Sequence, residues 1–193
     1  MLTRRTIMVC LPALIAAPKI SLAAPVAYRL DAARSQVGFS VTAAGEAYAG
    51  TMPITSADLA LDFGQVSNSR VSVTLRPAAA QMGIIFATQA LKSAEVLDTA
   101  RFPLIQFEST SIRTGATSAE AVVNGRVTVR GVTQPISLAA RLSQQAETVG
   151  QTDPELTLVL TGGLDRHAFG ASGYASLVAP TVALRIVARI RRA

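Results

Sequence analysis

The sequence has few of the side chains that carry most protein chemistry. Its 193 residues include one cysteine, one histidine and no tryptophan, and aromatic residues make up only 5% of the chain. A lone histidine, His167, excludes metal sites built from two or three imidazoles. The one cysteine, Cys10, lies in the first 23 residues, so the rest of the chain has no thiol for a disulfide or for cysteine catalysis.

The first 23 residues have the pattern of an export signal. Arg4 and Arg5 precede the apolar run IMVCLPALIAA, which is too short to cross a bilayer as a helix, and small residues follow at the expected cleavage site. We expect cleavage after Ala23 and a soluble, periplasmic mature protein that is one domain, residues 24–193. The paired arginines suit a twin-arginine signal as well as a general one. The alternatives for this segment are a membrane anchor and a buried helix.

The charge balance gives no sign of a nucleic-acid partner. The full chain has 18 basic and 12 acidic residues, and three of the basic residues lie in the leader, which leaves 15 basic residues against 12 acidic ones. No run of lysine and arginine is interleaved with aromatic residues. The basic cluster of Arg189, Arg191 and Arg192 favours a solvated strand end over a contact with anionic lipid headgroups.

Apolar and polar residues alternate along most of the remaining chain, which is typical of half-buried strands. The alternating segments are SQVGFSVT, DLALDF, RVSVTL, FPLIQFEST, RVTVRG, ISLAARL, ELTLVLTGGL and VALRIVARI. Ragged segments near 48–53 and 119–123 are also strand-like, and we expect eight or nine strands in all. Because helices do not intervene, the strands should pair antiparallel in a sandwich or a barrel. The polar residues 143–154 predict a long surface loop.

Residues 78–102 break this alternation. Ala87 to Ala94 predicts two turns of helix, and the apolar stretch Met82–Phe86 before it predicts a flexible segment. An apolar insertion between strands is either a plug that packs into an open end or a lid over a pocket.

Several stretches of the chain together point to a known family. They are YRLD at 28–31, SQVGFS at 35–40, LKS at 91–93, LDTARFP at 97–103, IQFEST at 105–110, NGRVTVRGVTQP at 124–135 and DRHAFG at 165–170. In order and spacing they resemble the YceI-like family of exported polyisoprenoid-binding proteins. The sequence departs from the family at Met82–Phe86, which is more apolar, and after Gly170, where ASGYASLVAP replaces a more acidic turn.

The resemblance implies an all-β protein, an eight-stranded antiparallel lipocalin-like barrel with a short helix and loop insertion near one end. Its interior would hold a polyisoprenoid, such as an isoprenoid quinone, or another long apolar chain, for transport, storage or sequestration. We expect no metal and no cofactor, and transient contact with a membrane surface and a homodimer both stay open. The expected cavity lining is Val37, Phe39, Val41, Leu61, Phe63, Val73, Leu75, Ile84, Phe86, Leu91, Leu97, Ile105, Phe107, Val127, Val129, Leu138, Leu158, Leu160, Phe169, Leu184 and Ile186.

Candidate catalytic residues are few. His167 lies in a predicted surface turn, and Glu108 has the outward phase of its strand, while Asp98 belongs to a loop. The stretch Gly170-Ala-Ser-Gly173 falls one residue short of a nucleophile elbow and lacks the strand–turn–helix setting. We therefore expect no enzyme. Two alternatives stay open: a hydrolase or isomerase that acts on a lipid inside the same barrel, and a protein-binding module whose barrel is filled by its own side chains.

The leader gives the first testable prediction. The exported protein should begin at Ala24, which N-terminal sequencing of the periplasmic form would show, and a soluble form that retains Met1 would contradict the assignment. Replacing Arg4 and Arg5 together by lysine should block export if the twin-arginine route is used. Unchanged export of that variant would indicate the general route.

Overall fold

The computed structural model describes residues 24–143 and 155–193. The predicted leader and the predicted polar loop, apart from Ser143, lie outside these residues. Ten strands and one α-helix form within them: β1 (Val26–Leu30), β2 (Gln36–Ala43), β3 (Glu46–Leu61), β4 (Arg70–Leu75), β5 (Gln81–Met82), α1 (Ile85–Lys92), β6 (Ile105–Thr114), β7 (Glu120–Val129), β8 (Val132–Ser143), β9 (Leu156–Asp165) and β10 (Val178–Arg192).

The strands close into an antiparallel barrel. Around the barrel the order is β10, β2, β3, β4, β6, β7, β8 and β9, and β9 pairs back onto β10. Within the described strands this closure pairs the two ends of the sheet with each other, and a closed sheet avoids edge-to-edge association. The predicted eight-stranded lipocalin-like barrel with one short helix is confirmed.

The first strand position of the barrel is shared by β1 and β2, which run in the same direction and are both antiparallel to β3 and β10. The break between them faces Arg189 of β10. The backbone N–H of Arg189 donates to the hydroxyl of Ser35 at 2.9 Å, and its carbonyl accepts from the backbone N–H of Asp31 at 2.8 Å. Both backbone groups of Arg189 therefore have partners, as buried polar groups require, although the strand opposite is interrupted.

In two places, two neighbouring predicted strands form one long strand. The segments near 48–53 and 58–63 join into the sixteen residues of β3, and the segments near 119–123 and 126–131 join into β7. The joint in β3 is a register shift between Ile54 and Ser56, just after Pro53. A proline and a bulge interrupt the alternation of side chains without ending the strand, so the sequence pattern reads as two strands.

The helix of the insertion begins and ends two residues earlier than predicted, at Ile85 and Lys92 rather than at Ala87 and Ala94. Its start is set by Thr88, whose hydroxyl accepts from the N–H of Met82 at 2.9 Å and lies 3.1 Å from the carbonyl of Ile84. Ile84 at the N-cap makes no capping hydrogen bond from its side chain, so the usual sequence signal for a helix start is missing. The preceding Met82 is part of β5, which pairs with Gly50 of β3.

The barrel has two distinct ends. At the helix end lie α1, the turn Arg166–Phe169 and the segment 171–178; at the far end lies the connection from β3 to β4 around Val66–Asn68. The two ends therefore differ in what covers them, and this difference determines where the interior opens.

No helix in the described ranges is long and apolar enough to span a membrane.

Candidate functional site

The interior of the barrel is a cavity of about 980 Å³. This volume lies at the upper end of the range of ~300–1,000 Å³ that is typical of ligand sites. Because successive side chains of a strand point to opposite faces, every strand contributes alternate residues to the wall. The wall is almost entirely aliphatic and aromatic.

The structure places all of the predicted lining residues except Ile84 on the wall of this cavity. Ile84 is a correction: it lies outside the lining, and its side chain is 46% exposed. It occupies the N-cap of α1 in extended conformation, whereas its neighbour Phe86, within the helix, lies on the wall. The binding of a ligand by lining residues such as Phe107 stays a prediction.

The inward side chains do not fill the barrel. Among the described residues, the large side chains that are fully buried are Ile190 and Pro77. Inward residues in the middle of strands, such as Leu160, Leu184 and Ile186, are only partly buried, although they lie on the cavity wall. A protein interior packed to ordinary density would leave no such exposure. The exposure is therefore to the cavity itself.

Two aromatic rings of the cavity wall lie close to glycines of neighbouring strands. A Cβ atom at Gly50 would lie 2.3 Å from the ring of Phe39, the residue directly opposite it. A Cβ atom at Gly125 would lie 2.4 Å from the ring of Phe107 in the next strand. Because each ring occupies the space that a side chain would take, its volume lies along the wall rather than across the cavity.

The cavity opens at the helix end. Lining residues there are exposed: Phe86 by 81%, Leu177 by 54% and Tyr174 by 47%. At the far end, Phe63 is 45% exposed and its ring packs edge-on against Tyr28 at 5.6 Å, whereas Ile190 is fully buried and Leu61 is 8% exposed in a second apolar cluster. Side chains thus cover more of the interior at the far end, and the mouth lies beside α1.

Two charged residues, Asp62 and Arg166, are part of the cavity wall. Asp62, at the far end, accepts hydrogen bonds from the N–H of Gln65 at 2.8 Å, the amide of Asn68 at 3.0 Å and the N–H of Gly64 at 3.0 Å. The bond from Gln65 and then that from Asn68 hold the pKa of Asp62 below its usual value. These bonds occupy the carboxylate, so Asp62 serves the turn into β4.

Arg166 lies near the mouth and is 6% exposed. Burial lowers the pKa of its guanidinium, and the nearby carboxylate of Asp165 raises it. An arginine stays protonated under such shifts, so the otherwise apolar wall carries one buried positive charge. This residue was missed in the sequence, although it continues the inward phase of Leu160 and Leu164.

The remaining candidates for chemistry do not meet in the cavity. His167 is exposed in the turn after β9, where its backbone N–H donates to the carboxylate of Asp165 at 2.8 Å. Glu108 lies on the outer face beside Arg126 and Thr128. Asp98 is in the loop after α1, where its carbonyl accepts from the N–H of Phe102 at 2.8 Å. The described residues hold no group of three or more histidine, cysteine, aspartate or glutamate side chains that could bind a metal.

Comparison with known proteins finds a family model for the YceI-like domain that matches residues 28–190. Among curated proteins, a UPF0312 protein of Shewanella baltica is 26% identical over 64% of this chain and 65% of its own length. A protein YceI of Salmonella arizonae is 31% identical over 51% of this chain and 50% of its own. The chain thus spans less than two thirds of the length of the curated relatives it matches.

Solved structures share the fold. BcnA of Burkholderia cenocepacia superposes with a TM-score of 0.72 at 17% identity, over 83% of this chain and 98% of its own. A polyisoprenoid-binding domain from Saccharophagus degradans superposes with a TM-score of 0.61 at 12% identity, over 87% of this chain and 99% of its own. At these identities the likeness is one of fold.

The open interior predicts that two lining phenylalanines differ in their contribution to stability. Phe169 is 3% exposed and belongs to the buried apolar core, so Phe169→Ala should destabilise by about 3–5 kcal/mol. Phe107 faces the cavity and is only partly buried, so Phe107→Ala should cost the ligand-free protein only about 1–2 kcal/mol. Urea unfolding of the lipid-stripped variants measures both values.

Glu108→Ala, one residue from Phe107 and on the outer face, is the control and should change neither stability nor binding. An equally large destabilisation by the two phenylalanine substitutions would mean that the barrel is packed solid around Phe107.

Proposed function

The chain belongs to the YceI-like family, and we propose that it is a lipid-binding protein that encloses one long apolar chain inside its barrel. The enclosed ligand is a polyisoprenoid or a lipid of similar shape. The observation that carries the proposal is the cavity of about 980 Å³, whose wall is almost entirely apolar. Transfer of apolar surface from water into such a site is favourable by about 0.8 kcal/mol for each buried CH₂ group, so a long chain gains affinity without specific polar contacts.

The polyisoprenoid-binding domain from Saccharophagus degradans supports this choice of ligand, because it shares the fold over 87% of this chain. A barrel of about eight strands has an interior wide enough for one slim ligand. We also propose that the leader directs the protein to the periplasm. There, residues 24–193 act as one domain that transports, stores or sequesters its lipid.

The two alternatives have less support. A module with a filled barrel conflicts with the half-buried inward side chains of Leu160, Leu184 and Ile186. A hydrolase or isomerase requires a titratable group free to act in the cavity, and both Asp62 and Arg166 are held by hydrogen bonds of their own.

Two neighbouring alanines of β8 provide a direct test of binding inside the barrel. Ala140 lies on the cavity wall, whereas Ala139 is exposed on the outer face. Ala140→Trp should fill part of the cavity and weaken the binding of geranylgeraniol about tenfold or more, and Ala139→Trp should leave it unchanged. Titration by calorimetry measures both affinities.

The new indole is the sole tryptophan of the chain, so its emission also reports whether the ring lies in an apolar environment. Equal affinity in the two variants, with the indole of the Ala140→Trp protein buried, would contradict binding inside the barrel.

The rim of the mouth supports loading from a membrane surface. Ile85 and Phe86 at the start of α1 are 76% and 81% exposed, and Leu177 across the mouth is 54% exposed. Large apolar side chains clustered at an opening mark a contact with an apolar partner. We therefore infer that this rim touches the bilayer from which the lipid enters.

This part of the proposal predicts a defect in transfer rate. Ile85→Ser combined with Phe86→Ser should slow the transfer of a fluorescent prenol from vesicles severalfold, because fewer apolar groups insert at the interface. The control combines Leu104→Ser with Val132→Ser, two exposed apolar residues that do not line the cavity. Equal transfer rates for the rim variant and the control would contradict a membrane-contacting rim.

A further inference from the structure

Arg166 is a cation built into the apolar cavity wall. It follows Leu164 by two residues, so it continues the inward phase of β9 past the end of the strand. Its side chain lies at the helix end, on the same wall as Tyr174 and Leu177 of the mouth. At 6% exposure it is among the most buried polar residues of the described chain.

The guanidinium is held by four backbone carbonyls. Its Nε donates to Ala179 at 3.0 Å and one terminal nitrogen donates to Val178 at 2.8 Å. The other terminal nitrogen donates to Ala171 at 2.6 Å and to Gly173 at 2.8 Å. Since a guanidinium has five N–H groups in a rigid fork, one N–H, on the nitrogen that bonds Val178, has no acceptor among the described residues.

Among the described residues, the guanidinium of Arg166 also has no partner for an ion pair. Within the described ranges, no carboxylate lies within ion-pair distance of its guanidinium. Asp165, its neighbour in sequence, is exposed outside the barrel and accepts the N–H of His167. The guanidinium is hydrogen-bonded only to neutral carbonyls, and the carboxylate of Asp165 favours its charged form without forming an ion pair, so its burial stays costly.

We propose that Arg166 binds the headgroup of the lipid, and that this headgroup is anionic, a phosphate or a carboxylate. The inference rests on the proposed lipid-binding function and adds the chemistry of the polar end. Arg166 lines the cavity together with the mouth residues Tyr174 and Leu177, so its remaining N–H would meet the polar end of a bound lipid there, and a hydrogen bond to an anionic oxygen is about twice as strong as one between neutral groups. The apolar tail then extends from the mouth toward Leu61 and Ile190 at the far end.

Matched pairs of probes test the headgroup in the wild-type protein. Geranylgeranyl phosphate should bind about ten- to a hundredfold more tightly than geranylgeraniol, and palmitate more tightly than hexadecanol. Equal affinities within each pair would overturn the anionic headgroup but leave the apolar cavity intact. Failure of all four probes to bind would overturn the proposed function itself.

Arg130 is a matched control for Arg166. It too donates to backbone carbonyls near the helix end, at 2.8 Å to Ala94 and 2.7 Å to Val96, but it does not line the cavity. Arg166→Met should abolish the preference for the phosphate and retain the affinity for the alcohol. Arg130→Met should retain the preference. A preference that persists in folded Arg166→Met protein would overturn the role of Arg166.

Because Arg166→Met leaves four carbonyls without a donor and can prevent folding, a label on the wild-type protein gives an independent readout. A geranylgeranyl phosphate with a diazirine on its first isoprene unit should crosslink to the segment 171–178 at the mouth. Crosslinks concentrated at the far end, near Leu61 and Phe63, would overturn the orientation and with it the contact to Arg166.

Discussion

The ladder between β9 and β10 is the interaction on which the rest of the molecule depends. Ten residue pairs, from Thr181 opposite Asp165 to Ile190 opposite Leu156, join the last two strands and turn a curved sheet into a barrel. Without this ladder the inward faces of the strands would be exposed to water, and two long edges would be left unpaired. With it, every strand has one face toward a common interior, so the apolar side chains of each strand point into the barrel and the polar ones point to the solvent.

Closure alone does not make a cavity, because an eight-stranded barrel can also be filled by its own side chains. In this chain the inward positions carry mostly valine, leucine, isoleucine and alanine, and the two rings of Phe39 and Phe107 rest on Gly50 and Gly125. These choices leave empty volume that costs packing energy, since its lining atoms lack contacts. An apolar ligand restores those contacts, so stability and binding are coupled through the same surface.

Alternation predicted antiparallel strands and the inward side of each, because a two-residue period is a local property, visible wherever a strand has a polar side and an apolar side. The choice of a barrel over a sandwich came from the resemblance to the YceI-like family. Prediction failed where local signals are absent. Ile84 carries no cap to mark the start of α1, and Pro53 interrupts the pattern of β3 without ending the strand. The position of Arg166 inside the barrel depends on the carbonyls of residues 171–179, which only the folded loop brings together.

The central claim, an interior that holds one long apolar chain, is tested most directly by extracting the protein with organic solvent after purification from its native host, followed by mass spectrometry. The account predicts one predominant class of lipid, with a single long apolar chain, at about one molecule per barrel. Protein that yields no lipid, and that binds neither prenols nor fatty acids when they are added back, would contradict it.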